Sequence, residues 1–220
     1  MADTATRRAA KLDNRAIALA SLPFMGMISF WQVYDGIVPK MLTGTFGLSN
    51  SLTGAIMAID NVFGLFLLPL FGILSDRCTS KLGRRTPFIL LGSGIATLSV
   101  PLIAIANNAG SLPLLICAIL ITLLAICMYR TMTVAIVADI TPRPLRTKAD
   151  SVQKIVGYAG TGVMLVAISV MVPNVERPDY LPLFLLQAAF VLGSAVVYGL
   201  LVKEPALVQK MHQKSLEMGI

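Results

Sequence analysis

Long apolar stretches alternate with short polar segments along the whole chain. The stretches cover residues 16–42, 52–75, 87–106, 112–138, 155–172 and 181–202. A helix needs about 20 apolar residues, within a range of roughly 17–25, to cross the hydrocarbon core of a bilayer, and every stretch is long enough. Because lipid offers the backbone no hydrogen-bond partner, a helix is the natural spanning structure. We therefore predict an all-α membrane protein with six transmembrane helices.

The composition supports the same class and divides the chain into three parts. Hydrophobic residues make up 56% of the chain and charged residues only 13%, whereas soluble domains are about a quarter charged. A water-soluble domain is therefore excluded. We predict a cytoplasmic N-terminal segment over 1–15, a transmembrane domain over 16–202, and a cytoplasmic tail or the start of a linker over 203–220.

The basic residues are distributed very unevenly among the polar segments. All but four of the 18 Lys and Arg residues lie before the first helix, between helices 2 and 3, between helices 4 and 5, or after helix 6. The alternate loops contain only Lys40 and Arg177. Cytoplasmic loops of membrane proteins carry the excess of Lys and Arg. We expect an integral protein of the plasma (inner) membrane with both termini in the cytoplasm. The net charge of +7 then reflects topology, and we expect the lipid bilayer, not nucleic acid, as the surrounding partner.

The first predicted helix has a polar face. Ser29, Gln32, Asp35 and Gly36 recur at helical spacing and share one side of it. We expect this side to line a solute cavity. Asp35 lies near the outer end of the helix, where extension of the side chain to the interface is the alternative reading.

The second predicted helix contains Asp60 and Asn61 in its interior. Asp60 lies about ten residues into the helix, which is roughly 15 Å deep at 1.5 Å per residue. Ionisable residues at such depth are candidates for function, and a buried carboxylate can carry a coupling proton. A fixed structural ion pair is the alternative.

Two further cationic residues lie within the predicted helices. Arg130 in the fourth helix stays charged and therefore needs a counter-charge, water or a hydroxyl-rich ligand. Its planar guanidinium group suits bidentate contacts to carboxylates or sugar hydroxyls. Lys154 and Tyr158 form a polar face of the fifth helix. Pairing of Lys154 with Asp139 or Asp150 is the structural alternative. Gln32, Asp35, Asp60, Asn61, Arg130, Lys154 and Tyr158 are thus the candidates for binding a solute or a coupling ion.

The sequence offers little for enzyme chemistry. Its three cysteines and one histidine show no spacing typical of a metal or redox site, and a lone histidine makes most hydrolase chemistry inaccessible. We expect no enzymatic activity, no metal site and no cofactor, with H⁺ as the candidate coupling ion.

The loop between helices 2 and 3 combines an acid with a dense basic cluster, in the segment "GILSDRCTSKLGRRTPFILLG" from Gly72 to Gly92. Asp76 is predicted at the C-terminal end of helix 2, where a negative charge is unfavourable against the helix dipole. It needs a cation from the loop or another helix. This need predicts a latch that can open and close, and not merely a positive loop that fixes topology.

The residues "GILSDRCTSKLGRR" resemble the loop 2–3 motif of the major facilitator superfamily. The long spacing between Arg77 and Gly83 resembles the sucrose-transporter branch of the glycoside–pentoside–hexuronide:cation symporters, as do the segments 46–76 and 138–152. The resemblance implies one six-helix half of that fold, built from two three-helix repeats. It also implies a cytoplasmic gate, whose residues here are Gly72, Asp76, Arg77, Gly83, Arg84, Arg85 and Asp139.

The resemblance implies secondary active transport of a sugar or glycoside by alternating access. At the positions of the sodium-site acids of melibiose-type carriers this chain has Gly64, Leu68 and Arg130, which favours proton-coupled symport over sodium coupling. Partners would be a small solute and either a missing C-terminal six-helix half or a second copy. The alternatives are a non-transporting fragment or membrane assembly partner, and a carrier of a non-sugar solute.

Overall fold

The computed structural model describes residues 12–173, 175 and 178–219, and these residues contain no β-strand. Arg177 and the basic residues of segment 1–11 lie outside this described part. The helices are α1 (Asn14–Ala20), α2 (Leu22–Lys40), α3 (Asn50–Met57), α4 (Ile59–Asp76), α5 (Thr86–Asn108), α6 (Leu112–Asp139), α7 (Arg146–Met171), α8 (Leu181–Leu201) and α9 (Glu204–Glu217). The fold class predicted from the apolar pattern is confirmed.

The described helices include candidate membrane spans that can account for the six predicted. Five are long and apolar enough to cross a bilayer, namely α3 with α4, α5, α6, α7 and α8, and the bent pair α1–α2 makes a sixth if it is counted as one span. We refer to them in chain order as the first to the sixth span, with α1–α2 as the first.

The first span is bent within its apolar run. It bends by 46° where α1 meets α2. At the bend, the Ser21 hydroxyl donates a 2.7 Å hydrogen bond to the Ile17 carbonyl, and Pro23 occupies the first turn of α2. Proline has no N–H for the helix ladder and its ring disfavours continuous helix before it, which explains the break.

The spans pack in a pattern that repeats after three helices. The main contacts join the third span to the fourth and the sixth, the first to the fifth and the sixth, and the second to the fourth. Exchanging spans 1 with 4, 2 with 5 and 3 with 6 leaves this set of contacts unchanged. Such symmetry is typical of the nested three-helix repeats of transporters, and it confirms the predicted arrangement of half a major facilitator fold.

Glycine allows the fifth span to approach the first closely. A Cβ added to Gly157 would lie 2.6 Å from the Phe24 ring, and one added to Gly160 would lie 2.5 Å from the Met25 side chain. Small residues at helix interfaces permit such contact in membranes. The fifth span is therefore held to the bundle through one glycine-lined side.

The second and fifth spans carry much of the exposed apolar surface of the bundle. None of the most apolar 18 residues of the second span is buried, and only 17% of those in the fifth, against 44% to 50% in the third, fourth and sixth. Exposed side chains include Leu65 and Phe66 on α4 and Ile155 and Val166 on α7. These two spans therefore form the open sides of the six-helix unit.

A polar contact joins the third and sixth spans, at the end of the bundle where α5 ends and α8 begins. The Asp179 carboxylate accepts hydrogen bonds from the Asn108 side chain at 2.8 Å and from the Leu181 backbone N–H at 3.0 Å. Both bonds favour the ionised form, and they hold the pKa of Asp179 below its ordinary value.

Candidate functional site

Arg85 is the centre of an ion-pair cluster at the end of the bundle where α4 and α6 terminate. Its Nη2 lies 2.8 Å from Asp76 Oδ1, and its Nε donates a 3.0 Å hydrogen bond to Asp139 Oδ2. Its Nη1 donates to the Ser75 hydroxyl at 3.2 Å. We call this cluster of Arg85, Asp76, Asp139 and Ser75 the Arg85 bridge. It confirms that the acid at the end of helix 2 has a loop arginine as its partner.

The positions of the two acids explain why a cation is needed between them. Asp76 and Asp139 are the last residues of α4 and α6, where unpaired carbonyl groups make the local potential negative. The guanidinium of Arg85 offers donors on several nitrogens in one plane, so a single side chain can serve both carboxylates. A lysine at this position could not reproduce the two-sided contact.

The two ion pairs of the Arg85 bridge differ in their exposure to solvent. The Arg85 side chain is 10% exposed and the Asp139 side chain 23%, whereas Asp76 is 58% exposed. Exposed ion pairs contribute about 0–1 kcal/mol and are screened by salt. The contact with Asp76 is therefore the one that water and competing charges can break most easily.

The turn before Arg85 requires glycine for two reasons. Gly83 has a φ of +113°, a conformation that L side chains rarely adopt. A Cβ at this position would also collide with the carboxylate of Glu204. The Ser75 hydroxyl donates a 3.0 Å bond to the Arg84 carbonyl, which fixes the turn from the other side. Gly83 is thus required by the shape of the segment that presents Arg85.

Glu204 is a residue of this site that the sequence did not indicate. It is 2% exposed, and its carboxylate accepts bonds from the backbone N–H groups of Arg84, Arg85 and Thr86. The Thr86 hydroxyl also donates to it at 2.8 Å, and the Tyr198 hydroxyl pairs with that of Thr86. The one signal in the sequence that could have indicated Glu204 is its position as an acid between the end of the last apolar stretch and Pro205.

Two of the five charged residues expected in the gate take no part in the ion pairs of the described residues. Arg77 and Arg84 are exposed and form no ion pair within the part of the chain that the structure describes. Gly72 faces the fourth span, with its Cβ position 3.7 Å from the Thr131 methyl group, which is ordinary contact. Roles for these residues in a gate stay predictions.

Arg130 and Asp60 are both half-buried and have separate local partners. The Arg130 guanidinium carbon lies 5.6 Å from the centre of the Trp31 ring, a cation–π contact. Asp60 lies in the first turn of α4, directly after the helix breaks at Ala58, where the helix dipole favours a negative charge. It accepts a 2.9 Å bond from the Asn61 side chain. No Asp60–Arg130 ion pair occurs among the described residues.

The polar faces predicted on the first and fifth spans are only partly formed. Gln32 is half-buried and Asp35 is exposed. Ser29 was expected beside them on a cavity-lining face, and this expectation is wrong. Its hydroxyl is fully buried, donates to the Gly26 carbonyl, and accepts a 3.1 Å bond from Gln187 of the sixth span.

The fifth span shows which of the two alternatives for Lys154 is realised. Its Nζ lies 2.9 Å from Asp150 Oδ2, one helical turn earlier, so the pairing is local and does not involve Asp139. Tyr158 is exposed on the open side of the bundle. Involvement of Lys154 and Tyr158 in solute binding stays a prediction.

Comparison with known proteins identifies the family. A family model described as MFS/sugar transport protein matches residues 16–218. The chain belongs to this family. The match includes nearly all of the first span, the other five spans and α9, so it extends beyond the loop motif and the segments 46–76 and 138–152 that carried the sequence resemblance.

Plant sucrose transport proteins are among the curated relatives of this chain. The chain is 41% identical over 68 residues to sucrose transport protein SUC3 of Arabidopsis thaliana, covering 31% of the chain and 11% of the relative. It is 35% identical over 98 residues to sucrose transport protein SUT1 of Oryza sativa subsp. japonica, covering 43% and 18%, and 31% identical over 100 residues to sucrose transport protein SUC4 of Arabidopsis thaliana, covering 46% and 19%. The chain thus matches less than a fifth of the length of these relatives.

Proposed function

We propose that this chain is a six-helix unit of a secondary active transporter that moves a sugar or glycoside by alternating access, coupled to protons. The observation that supports this most is the Arg85 bridge, which ties together the ends of the second, third and fourth spans in a member of a sugar transport family. Transport leaves the solute chemically unchanged, so the proposal includes no enzymatic activity, metal or cofactor.

The Arg85 bridge would act as the gate on one side of the membrane. While it is formed, the second span cannot move away from the third without separating Arg85 from Asp76, and the third cannot move away from the fourth without separating Arg85 from Asp139. Opening is feasible because Asp76 is largely exposed and its contact is weak. A gate needs this balance, since a permanent contact would prevent the transporter from changing its orientation.

The proposed orientation places the Arg85 bridge in the cytoplasm. The loops at this end of the bundle contain Lys81, Arg84, Arg143 and Lys148, and loops rich in Lys and Arg stay on the cytoplasmic side. Both termini would then be cytoplasmic, in the plasma membrane.

A second six-helix unit would complete the transporter. The second and fifth spans leave their apolar surfaces unburied, and transporters with three-helix repeats bind their solute between two such units near the midplane. The partner would be a C-terminal half or a second copy of the chain. The surrounding lipid would cover the remaining apolar faces.

Solute and proton would use different charged residues. Asp60 can change its charge and is proposed to carry the proton, whereas Arg130 stays charged and is proposed to contact solute hydroxyl groups. The cation–π contact with Trp31 leaves the Arg130 donors free of a carboxylate partner within the described residues. Gln32, Asp35 and Asn61 are the remaining polar side chains proposed near the path.

Uptake measurements test this function. The full-length gene product would be reconstituted in proteoliposomes and supplied with radiolabelled mono- and disaccharides, with and without an inward proton gradient. The proposal predicts accumulation of at least one sugar that depends on the gradient. Absence of uptake for every sugar, by correctly inserted protein, would favour a membrane assembly partner or a carrier of another solute.

A further inference from the structure

Glu204 has a buried carboxylate that forms no ion pair within the described residues. It is the first residue of α9 and is 2% exposed. Its partners are the backbone N–H groups of Arg84 at 2.8 Å, of Arg85 at 3.1 Å to both oxygens, and of Thr86 at 2.9 Å. The Thr86 hydroxyl completes the set at 2.8 Å.

These bonds place a negative charge at the start of a long helix. The first N–H groups of α5 have no partner within the helix, and the helix dipole makes this end positive. A carboxylate that accepts several N–H bonds there offsets the cost of its own burial. The arrangement is a helix cap supplied by a segment about 120 residues later in the sequence.

The capped segment is the one that presents the Arg85 side chain. Glu204 binds the backbone at Arg85 and at the residues on both sides of it, and Gly83 leaves room for the carboxylate. The Cα of Arg85 is therefore held in place from one side, while its guanidinium reaches Asp76 and Asp139 on the other. Without the cap, the backbone that carries the Arg85 side chain would lose these hydrogen bonds and be held less firmly.

We propose that Glu204 is a positioning residue of the Arg85 bridge, and that the bridge forms only while the start of α9 is docked on α5. This inference rests on the proposed gating function of the Arg85 bridge. It adds that the segment following the sixth span controls the gate, since any movement of α9 away from α5 removes the carboxylate from the Arg85 backbone.

Labelling of Cys78 tests the proposal directly. Cys78 lies two residues after Asp76, is half-buried, and would become more accessible when the Arg85 bridge opens. In a Cys117→Ala, Cys127→Ala background, the rate of maleimide labelling would be measured from the side of the Arg85 bridge. Glu204→Gln should raise the rate about tenfold, as expected for losing bonds to a charged acceptor. The matched change Glu217→Gln, at the exposed end of α9, should leave it unchanged.

A double variant separates positioning from general stabilisation. If Glu204 acts through Arg85, Glu204→Gln should not raise Cys78 labelling further in an Arg85→Ala background, although the melting temperature falls in both backgrounds. A full additional rise in the Arg85→Ala background would overturn the positioning role. Should Glu204→Gln fail to fold, Thr86→Val removes the hydroxyl bonds to Glu204 and Tyr198 but leaves the backbone bonds to Glu204 in place. It should give a smaller rise of the same kind, and no rise would overturn the proposal.

The same measurements distinguish failure of this proposal from failure of the gate. If Arg85→Ala speeds Cys78 labelling and Glu204→Gln does not, the gate stands and the role of Glu204 is refuted. If Arg85→Ala itself has no effect, the Arg85 bridge does not hold this loop, and both the gating function and the role of Glu204 are refuted.

Discussion

Arg85 and Asp139 are 54 residues apart in the sequence, and Nε of Arg85 donates a 3.0 Å hydrogen bond to Oδ2 of Asp139. The bond joins the beginning of the third span to the end of the fourth. It is mostly shielded from water, whereas the bond from the same guanidinium to Asp76 is largely exposed. A cation held firmly by one helix end and loosely by another is suited to a contact that opens and closes.

Removing the Asp76 charge should reduce transport more than stability. Asp76→Asn preserves the shape of the side chain but leaves Arg85 with Asp139 as its one anionic partner among the described residues. The lost contact is worth about 1 kcal/mol, so the melting temperature should change little. The same energy shifts a balanced gating equilibrium about fivefold, which lowers the population of the closed state from one half to about one sixth, and we expect uptake to fall about threefold. Normal uptake at normal surface expression would count against a gating role, with Glu217→Gln as the control.

Gly83 should not tolerate alanine. Gly83→Ala introduces a Cβ at a φ of +113°, which costs about 1–3 kcal/mol, and places it against the Glu204 carboxylate. We expect a lower melting temperature in detergent and weaker transport. Gly94→Ala in α5 is the control, because no atom lies within 4 Å of its Cβ position. Equal stability of the two variants would show that the turn is not constrained as described.

Local physical rules predicted the spans and the need of Asp76 for a cation, whereas Arg85 and Asp139 were implied by the resemblance to the loop 2–3 motif. Bilayer thickness sets the length of an apolar helix, and an acid at a helix C-terminus requires a cation. Glu204 was not predicted, because its partners are backbone N–H groups far away in the chain, which leave no mark in the sequence.

Two features of the first span show the limits of pattern reading. Helical spacing places Ser29 on the same side of the helix as Gln32, but it does not show which neighbouring helix that side meets. In the structure, Gln187 of the sixth span donates a hydrogen bond to the Ser29 hydroxyl. The bend at Ser21 lies within an unbroken apolar run. Membrane helices tolerate proline, so Pro23 alone did not predict a break.

Cysteine labelling should show on which side of the membrane each loop lies. In a background without native cysteines, cysteines at Thr79 and Thr147 should be protected from a membrane-impermeant reagent added outside intact cells, and one at Val175 should react. All three positions are exposed. Reaction at Thr79 or Thr147 from outside would place the Arg85 bridge on the wrong side of the membrane for a cytoplasmic gate.

Asp60 should be required for coupling and not for solute exchange. Asp60→Asn preserves the hydrogen-bonding shape but cannot take up and release a proton. We expect proton-driven accumulation to disappear while exchange of labelled for unlabelled solute continues. Surviving accumulation would show that another group carries the proton. Loss of exchange as well would assign Asp60 a structural or solute-binding role.

The central claim is that the Arg85 bridge gates transport, and uptake by two charge-matched variants tests it most directly. Arg85→Gln and Lys81→Gln each remove one positive charge from the same loop, but Lys81 is exposed and forms no ion pair within the described residues. Proteoliposomes containing each full-length variant would be compared for sugar uptake under a proton gradient. We predict that Arg85→Gln lowers uptake at least tenfold while Lys81→Gln transports normally, because only Arg85 joins the three spans. Equal uptake by the two variants would contradict the account.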